Sequence, residues 1–131
     1  MKTRTIIQTI TIRASPHEIY EMWMDAEKHA RFTGGAAEIS REIGGVFSTN
    51  DRYSIGITTE LVPDKRIVQT WRANDWPAGH YSTLIIELTP VDGKTRLRFT
   101  QEGVPDDQYE EIKEGWHTYY WNPLREALEK K

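Results

Sequence analysis

The chain begins with a hydrophobic pattern of period two, which then gives way to a helical period. Thr and Ile alternate over residues 3–13, and this predicts a strand with Ile10 and Ile12 on one face and Ile7 on the other. The alternation stops abruptly after residue 13. We therefore expect the first strand to lead directly into a helix.

A helical signal occupies residues 15–32. Ser15 and Glu18 have the spacing of a capping box, with Pro16 at the first helical position, and together they predict the start of a short helix. A second short helix is predicted over residues 26–32, where the run Thr33-Gly34-Gly35 ends it. The first helix has an apolar face made by Ile19, Tyr20 and Trp23.

Six further strands are predicted between residues 36 and 102, separated by short runs of turn residues. Because these connections are too short to contain a helical crossover, neighbouring strands are expected to pair antiparallel. The result is a meander. The predicted strands cover residues 37–41, 46–49, 54–62, 66–73, 81–89 and 95–102.

One long amphipathic helix is predicted for residues 106–131. We expect Asp106 to be its N-cap, and Lys130 and Lys131 to lie at its C-terminal end, where the helix dipole favours cations. A face this rich in rings needs a wide concave partner, such as a curved sheet. Its predicted members are Tyr109, Ile112, Trp116, Tyr119, Tyr120, Pro123, Leu124 and Ala127.

Two residues inside this helix lower its intrinsic stability. Gly115 costs roughly 1 kcal/mol relative to alanine, and we predict that it allows another element to approach closely beside Trp116. Pro123 cannot donate a hydrogen bond to the carbonyl of Tyr119, so we predict a kink in the last turns.

Alternation along the strands predicts which side chains face this helix. The polar ones include Thr49 and Thr59, and a buried hydroxyl or amide without a partner costs roughly 1 to 3 kcal/mol. A wet internal cavity would satisfy such groups; alternatively, a β-bulge reverses the parity of one or two strands. The other predicted members of this face are Phe47, Ile55, Ile57, Leu61, Gln69, Trp71, Ser82, Leu84, Ile86, Leu88, Leu97, Phe99 and Gln101.

Size and composition narrow the class of protein. The chain has 131 residues, so we predict one domain over residues 1–131. The net charge is −3 and the basic residues are scattered, so we do not expect a nucleic acid partner. With no cysteine, disulfides and thiolate chemistry are excluded. No apolar run approaches the roughly eighteen residues of a membrane span, and we predict a cytoplasmic protein without membrane contact.

Few residues are candidates for catalysis. The four histidines show no HExxH motif or other paired spacing, and neither a nucleophile elbow nor a Gly-rich phosphate loop is present. We therefore expect no catalytic residue, no metal and no other cofactor. The enzymatic alternative is an acid and base pair assembled in the cavity from Glu42, His80 or Glu102.

Five segments of the chain carry a family resemblance. They are SPHEIYEMW at 15–23, IGGVF at 43–47, ELVPDKRIVQTWR at 60–72, WPAGHYST at 76–83 and EGVPDDQYEEIKEGWHTYYWNPL at 102–124. In these segments the sequence resembles the C-terminal-type domain of the activator of heat-shock protein 90 ATPase, within the START and birch-pollen-allergen superfamily. The resemblance implies an α+β helix-grip fold. In that fold a curved antiparallel sheet of about seven strands, with two short helices after the first strand, holds a long C-terminal helix across its concave face.

The resemblance also implies a function. Eukaryotic activators of this family carry a separate N-terminal domain, whereas this chain starts close to its first strand, so we expect ligand binding rather than chaperone stimulation. The expected ligand is a small hydrophobic or aromatic molecule between helix and sheet, although a solid aromatic core is the alternative. The predicted cavity residues are Trp23, Phe32, Phe47, Gln69, Trp71, Ser82, Trp116, Tyr119 and Tyr120.

The loop before the sixth predicted strand has two interpretations. Trp76, His80 and Tyr81 either form the rim of the pocket or contact a protein partner, unless Trp76 folds back over the sheet edge. Two alternative functions also remain open at this point. One is a co-chaperone-like protein that binds a heat-shock protein 90 homologue, and the other is a cyclase- or aromatase-like enzyme.

Overall fold

The computed structural model describes residues 1–129, so the predicted positions of Lys130 and Lys131 lie outside the described residues. The order of elements confirms the prediction of a strand, a helix pair, a meander and a C-terminal helical region. The elements are β1 (Thr3–Ile12), α1 (Pro16–Met24), α2 (Ala26–Thr33), β2 (Glu38–Ile39), β3 (Val46–Thr49), β4 (Ser54–Val62), β5 (Arg66–Ala73), β6 (Ser82–Val91), β7 (Lys94–Pro105), a 3₁₀ turn (Asp106–Gln108), α3 (Tyr109–Trp116), a π-helical segment (His117–Trp121) and α4 (Asn122–Glu129).

The seven strands form one antiparallel sheet in the order β1-β7-β6-β5-β4-β3-β2. The first strand pairs with the last, from Thr3 opposite Pro105 to Ile12 opposite Thr95. The helical region from residue 106 to 129 packs its buried rings into the same core as the inner side chains of the sheet. This is the helix-grip fold that the sequence resemblance implied.

Local signals set the positions of the two short helices. The Ser15 hydroxyl accepts from the Glu18 amide over 3.1 Å and the Glu18 carboxylate accepts from the Ser15 amide over 3.0 Å, so the predicted capping box is confirmed. Asp25 ends α1 and its carboxylate caps α2 by accepting from the Lys28 amide over 3.0 Å. Gly34 then ends α2 with a left-handed φ of 82°. The two helices therefore follow each other without a linker.

The inward face was predicted wrongly for one strand, β4. Ile55 and Ile57 are 39% and 42% exposed, and Thr59 is also exposed, because Ser54 and Thr58 take the inner positions. A bulge between Thr58 and Glu60 reverses the parity within the strand, as the alternative interpretation allowed, so that Leu61 packs against the core as predicted. The apolar side chains that were correctly placed and are buried are Phe47, Trp71, Leu84, Ile86, Leu88, Leu97 and Phe99.

Gly56 explains why Ser54 and Thr58, and not the isoleucines, take the inner positions of β4. It lies opposite Phe47 in the ladder, and a Cβ atom at Gly56 would overlap the Thr70 carbonyl and stand 2.7 Å from Phe47 Cε2. A side chain at this position would therefore clash with the backbone of β5 as well as with the phenyl ring. The glycine lets Phe47 cover the strand, and this arrangement requires the isoleucines on either side to point outward.

The start of the C-terminal helical region also differs from the prediction. Asp106 is not an α-helical N-cap: it opens the 3₁₀ turn, and no side chain caps that turn. Gly115 does not mark a close approach either, since a Cβ atom there would meet only Tyr119 Cδ2, at 3.7 Å. The space beside Gly115 is instead part of a groove, described below.

A π-helical segment changes which side chains the last turns bury. The amide of Asn122 donates to the carbonyl of His117, five residues back, and Pro123, which has no amide hydrogen, follows immediately. This extra residue in the turn shifts the helical phase. As a result, Trp121 is 0% exposed and Leu128 is buried, whereas Tyr119 is 64% exposed and Ala127 faces solvent. The predictions that Tyr119 and Ala127 face the sheet were wrong.

Candidate functional site

A groove of about 320 Å³ lies between the C-terminal helical region and the turn that joins β3 to β4. Its volume is within the roughly 300 to 1,000 Å³ range of small-molecule sites. Rings dominate its surface, and the deepest of them are buried. The nine lining residues are Asn50, Tyr53, Trp71, Glu111, Ile112, Gly115, Trp116, Tyr119 and Tyr120.

The floor of the groove is fixed by a buried chain of hydrogen bonds. Trp116 Nε1 donates to Gln101 Oε1 over 2.8 Å, and Gln101 Nε2 donates to Ser82 Oγ over 3.0 Å. Ser82 in turn donates to the Trp71 carbonyl over 2.8 Å. These bonds hold the Trp116 indole in one orientation and tie it to the backbone of β5 at Trp71.

The predicted internal cavity is filled by side chains. The space enclosed by Trp23, Phe47 and Gln69 measures about 10 Å³, which is no more than the volume that one water molecule needs. Trp23 Nε1 donates to Gln69 Oε1 over 3.1 Å, and Gln69 donates to Thr58 over 3.1 Å. The polar side chains of the concave face therefore satisfy one another and the tryptophans, and they do not require an enclosed pool of water.

A third indole is paired in the same way. Trp121 Nε1 donates to Gln8 Oε1 over 2.7 Å, and Gln8 Nε2 donates to the Lys113 carbonyl over 3.0 Å. Lys113 lies in the last turn of α3, just before the π-helical segment begins. The first strand is thus tied to the point where the helix changes its period.

A buried histidine and tyrosine meet behind the groove. His29 Nδ1 lies 2.9 Å from the Trp23 carbonyl, which can only accept, so Nδ1 carries the proton and Nε2 accepts from the Tyr120 hydroxyl over 2.8 Å. The Tyr120 oxygen then accepts from Asn50 Nδ2 over 3.1 Å. This chain connects helix α2, the π-helical segment and the β3–β4 turn.

The pKa values of His29 and Tyr120 lie further from pH 7 than the ordinary values of these side chains. Burial lowers the pKa of His29 to about 4 and raises the pKa of Tyr120 to about 12, because each charged form would lose its hydration. Both groups are therefore neutral at pH 7. A general acid or base needs a pKa near the working pH, so the shifts suit a structural hydrogen bond better than proton transfer.

The walls of the groove have unusual backbone conformations. On one side stands the π-helical segment with Tyr119. On the other side, Asn50, Asp51 and Arg52 have φ values of 53°, 58° and 69°, three consecutive left-handed residues without glycine. Left-handed geometry costs roughly 1 to 2 kcal/mol for an ordinary residue such as Arg52, whereas Asn and Asp adopt it more readily. Such departures from regular structure concentrate at functional sites.

The residues predicted to bind a ligand fall into three places. Trp71, Trp116, Tyr119 and Tyr120 line the groove. Trp23, Phe47 and Gln69 surround the small internal void, which Trp71 and Tyr120 also border. Phe32 and Ser82 border neither space: Phe32 packs its ring 5.2 Å from that of His29, and Ser82 belongs to the hydrogen-bonded floor.

The sequence prediction missed five residues of the groove. Asn50 and Tyr53 lie in a turn, Gly115 was assigned another role, and Glu111 was not among the predicted members of the aromatic helix face. The fifth, Ile112, was assigned to the core face. The polar residues 50–52 between β3 and β4 were the available signal for the turn. They do not reveal that the turn bends toward the helix.

The predicted rim loop does not reach the groove. Trp76 is 3% exposed, its ring centroid lies 5.3 Å from that of Trp71, and its Nε1 donates to Gln108 over 3.2 Å. It folds back against the sheet, as the alternative interpretation held. His80 Nε2 lies 2.7 Å from the Gly103 carbonyl, and Tyr81 is 44% exposed.

The candidate acid and base residues are not brought together in a cavity. Glu42 and Glu102 are exposed, and neither they nor His80 border the groove or the internal void. Within residues 1–129, no group of three or more His, Asp or Glu side chains is arranged to hold a metal ion. Over the same residues, no helix combines the length and the apolar character needed to cross a bilayer.

Comparison with known proteins agrees with this fold. The activator of 90 kDa heat shock protein ATPase homolog 1 from Homo sapiens is 33% identical over 90% of this chain and 35% of its own length. The homologous activator from Dictyostelium discoideum is 34% identical over 87% of this chain and 30% of its own length. The chain thus spans about a third of these curated relatives.

A solved structure matches over most of its length. The crystal structure of an HSP90 activator from Plasmodium falciparum has a TM-score of 0.85 and 26% identity, covering 92% of each chain. The family model described as "Activator of Hsp90 ATPase homolog 1-like protein" matches residues 13–129. The chain belongs to this family of activator of Hsp90 ATPase homolog 1-like proteins.

Proposed function

We propose that this protein binds a small apolar or aromatic molecule in the groove, without catalysing a reaction. The observation that supports this most directly is a space of about 320 Å³ beside the rings of Trp71 and Trp116. Ring faces bind flat or apolar molecules, and nearby amide and hydroxyl groups fix their orientation. Asn50 and Tyr53 offer such polar groups at the groove wall.

The preformed backbone around the groove favours binding over simple packing. The turn keeps an ordinary residue, Arg52, in the costly left-handed conformation beside the open space. The Asn50 amide is held by the Tyr120 hydroxyl, so the turn is fixed relative to the π-helical segment. A ligand would therefore meet two walls whose separation is already set, and this lowers the entropy cost of binding.

Gly115 offers a direct test, because a side chain there would project into the groove. A Cβ atom at this position is 3.7 Å from Tyr119 Cδ2 and makes no closer contact outside the helix, so Gly115→Leu should fold while filling part of the space. Replacing this helical glycine also removes a penalty of about 1 kcal/mol. We expect the neutral fluorescent probe N-phenyl-1-naphthylamine to bind the natural protein and to bind Gly115→Leu at least about tenfold more weakly.

The matched control is Gly115→Ala, which gives the same helix benefit and leaves most of the groove open. It should retain most of the affinity and unfold at an equal or higher temperature than the natural protein. If Gly115→Leu binds the probe as tightly as Gly115→Ala, the groove is not the binding site.

A second function is supported by the family. The relatives are named as activators of the 90 kDa heat shock protein ATPase, and the match covers nearly all of this chain. We infer that the outer face of the sheet would be the docking surface for a heat-shock protein 90 homologue, since Trp76 is buried. That face exposes Val46 (68%), Ile57 (42%) and Tyr81 (44%), an apolar area typical of interaction sites.

The test is the ATPase rate of the homologue at saturating concentrations of this protein. Docking through the outer face predicts that Ile57→Lys loses most of the stimulation, because a charge is placed in an apolar contact. Thr9→Lys introduces the same charge on an exposed position of β1 and should leave the stimulation intact. An unchanged ATPase rate with the natural protein would remove this candidate.

A further inference from the structure

The charges around the groove favour one class among the ligands of the proposed function, on which this inference rests. Of the nine lining residues, Glu111 is the only one with a charged side chain, and none is Lys, Arg or His. Within residues 1–129, Glu111 takes part in no ion pair. Its carboxylate is therefore an uncompensated negative charge at the edge of an aromatic site.

The cationic side chains nearest in sequence are engaged elsewhere. Lys113 lies 3.9 Å from the Glu110 carboxylate and 5.5 Å from the ring centroid of Tyr109. Arg72 donates to the carbonyls of Trp76 and Pro77 over 2.8 Å and 3.1 Å. Arg52, although it belongs to the strained turn, has its guanidinium 3.5 Å from the Glu38 carboxylate.

The charged side chains that act on the Tyr53 hydroxyl are negative. Burial raises its pKa to about 12, and the charges of Asp75 and Glu111 act in the same direction by disfavouring the phenolate. A negative potential at this wall repels a carboxylate or sulfonate group on a ligand and attracts an ammonium group.

Several aromatic rings border the same space as Glu111. Trp71 and Trp116 lie with their ring centroids 5.5 Å apart and their planes inclined at 50°, so they do not stack flat on each other. Tyr119 stands on the helical wall with 64% of its surface exposed. The face of an aromatic ring is electron-rich, and several faces around one space bind ammonium groups that are poorly hydrated.

We propose that the groove selects apolar or aromatic molecules that carry a cationic ammonium group, with the rings contacting the apolar part and Glu111 contacting the charge. Fatty acids and other acidic amphiphiles of the same size are disfavoured by the same carboxylate. The selection is electrostatic at the rim, so it depends on ionic strength, whereas the apolar contact does not.

Three probes with one ring system separate these contributions. Naphthylmethyl-trimethylammonium is cationic, naphthylmethanol is neutral and naphthylacetate is anionic, and their dissociation constants can be measured by calorimetry at about 20 mM and 500 mM salt. At low salt we expect the cation to bind at least about fivefold more tightly than the alcohol, and the anion to bind weakest. At high salt the three values should converge.

Glu111→Gln should abolish the advantage of the cation over the alcohol. Glu110→Gln removes the same charge from the same helical turn outside the groove, and it should preserve the order of the three probes. Equal affinities for cation and alcohol in the natural protein would overturn the ammonium selectivity and leave the proposed groove intact. Failure of all three probes to bind would overturn both.

Discussion

The Tyr120 hydroxyl donates to His29 Nε2 over 2.8 Å and joins the π-helical segment to helix α2, 91 residues apart in sequence. Both side chains are buried, with exposures of 4% and 1%. The direction of this bond follows from the other histidine nitrogen, which donates to the Trp23 carbonyl. Two groups that would each be costly to bury alone therefore satisfy one another, and they fix the wall of the groove.

Removing the tyrosine hydroxyl tests the contribution of this bond. Tyr120→Phe leaves His29 Nε2 and the Asn50 amide without their partner, and we expect the free energy of unfolding to fall by about 1 to 3 kcal/mol. Tyr119→Phe is the control: Tyr119 is exposed, so the change should be within about 0.5 kcal/mol. Urea denaturation measures both. Equal effects of the two substitutions would contradict the assignment.

The low pKa of His29 predicts a stability that falls in mild acid. The unfolded histidine takes up a proton near its ordinary pKa of 6.5, whereas the folded one does so only near 4, so stability rises with pH across this interval. From these values, the contribution lost between pH 7.5 and pH 5 is about 2 kcal/mol. Urea titrations at both pH values give the loss, and comparison with His29→Gln isolates it. If the two proteins lose stability equally, the histidine is not buried in its neutral form.

The phase shift in the helix can be tested by comparing neighbouring aromatic residues. Trp121 is 0% exposed and its indole nitrogen donates to Gln8, so Trp121→Leu should lower the free energy of unfolding by about 2 to 4 kcal/mol. Tyr119→Leu removes a ring that is 64% exposed and should change it by less than about 0.5 kcal/mol. A regular α-helix through residues 116–124 would predict the reverse order, which thermal or urea unfolding can distinguish.

Trp121 and Tyr119 show which features of the fold could not be predicted from the sequence. Strands β3, β4 and β5 have the predicted bounds because Gly, Asn, Asp and Pro mark their ends, and the capping box marks the start of α1. A helical wheel, however, assumes 100° per residue, and no residue type is specific for a π-helical turn. Only Pro123, which has no amide hydrogen, hinted at a disturbance, and it did not give the direction of the shift.

The same limit applies to β4 and to the groove. The parity of β4 depends on a bulge at Thr58 and on contact between Gly56 and Phe47, which is a tertiary interaction. The rings of the groove were predictable as an aromatic face, since four of them appeared among the expected ligand residues. Their distribution between a solid interior and an open groove depends on rotations of a few side chains, which local sequence does not encode.

The strained turn gives the last prediction, in which relief of strain and loss of a contact oppose each other. Arg52 has a φ of 69° and pairs with the exposed Glu38 at 3.5 Å, so Arg52→Gly should raise the free energy of unfolding by about 1 kcal/mol. Asn50→Gly relieves less strain, because Asn tolerates the left-handed region better than Arg, and it removes the bond to Tyr120, so we expect no gain or a net loss. Urea denaturation of the two variants compares them. A stabilising effect of Asn50→Gly equal to that of Arg52→Gly would show that the amide does not hold the turn against the helix.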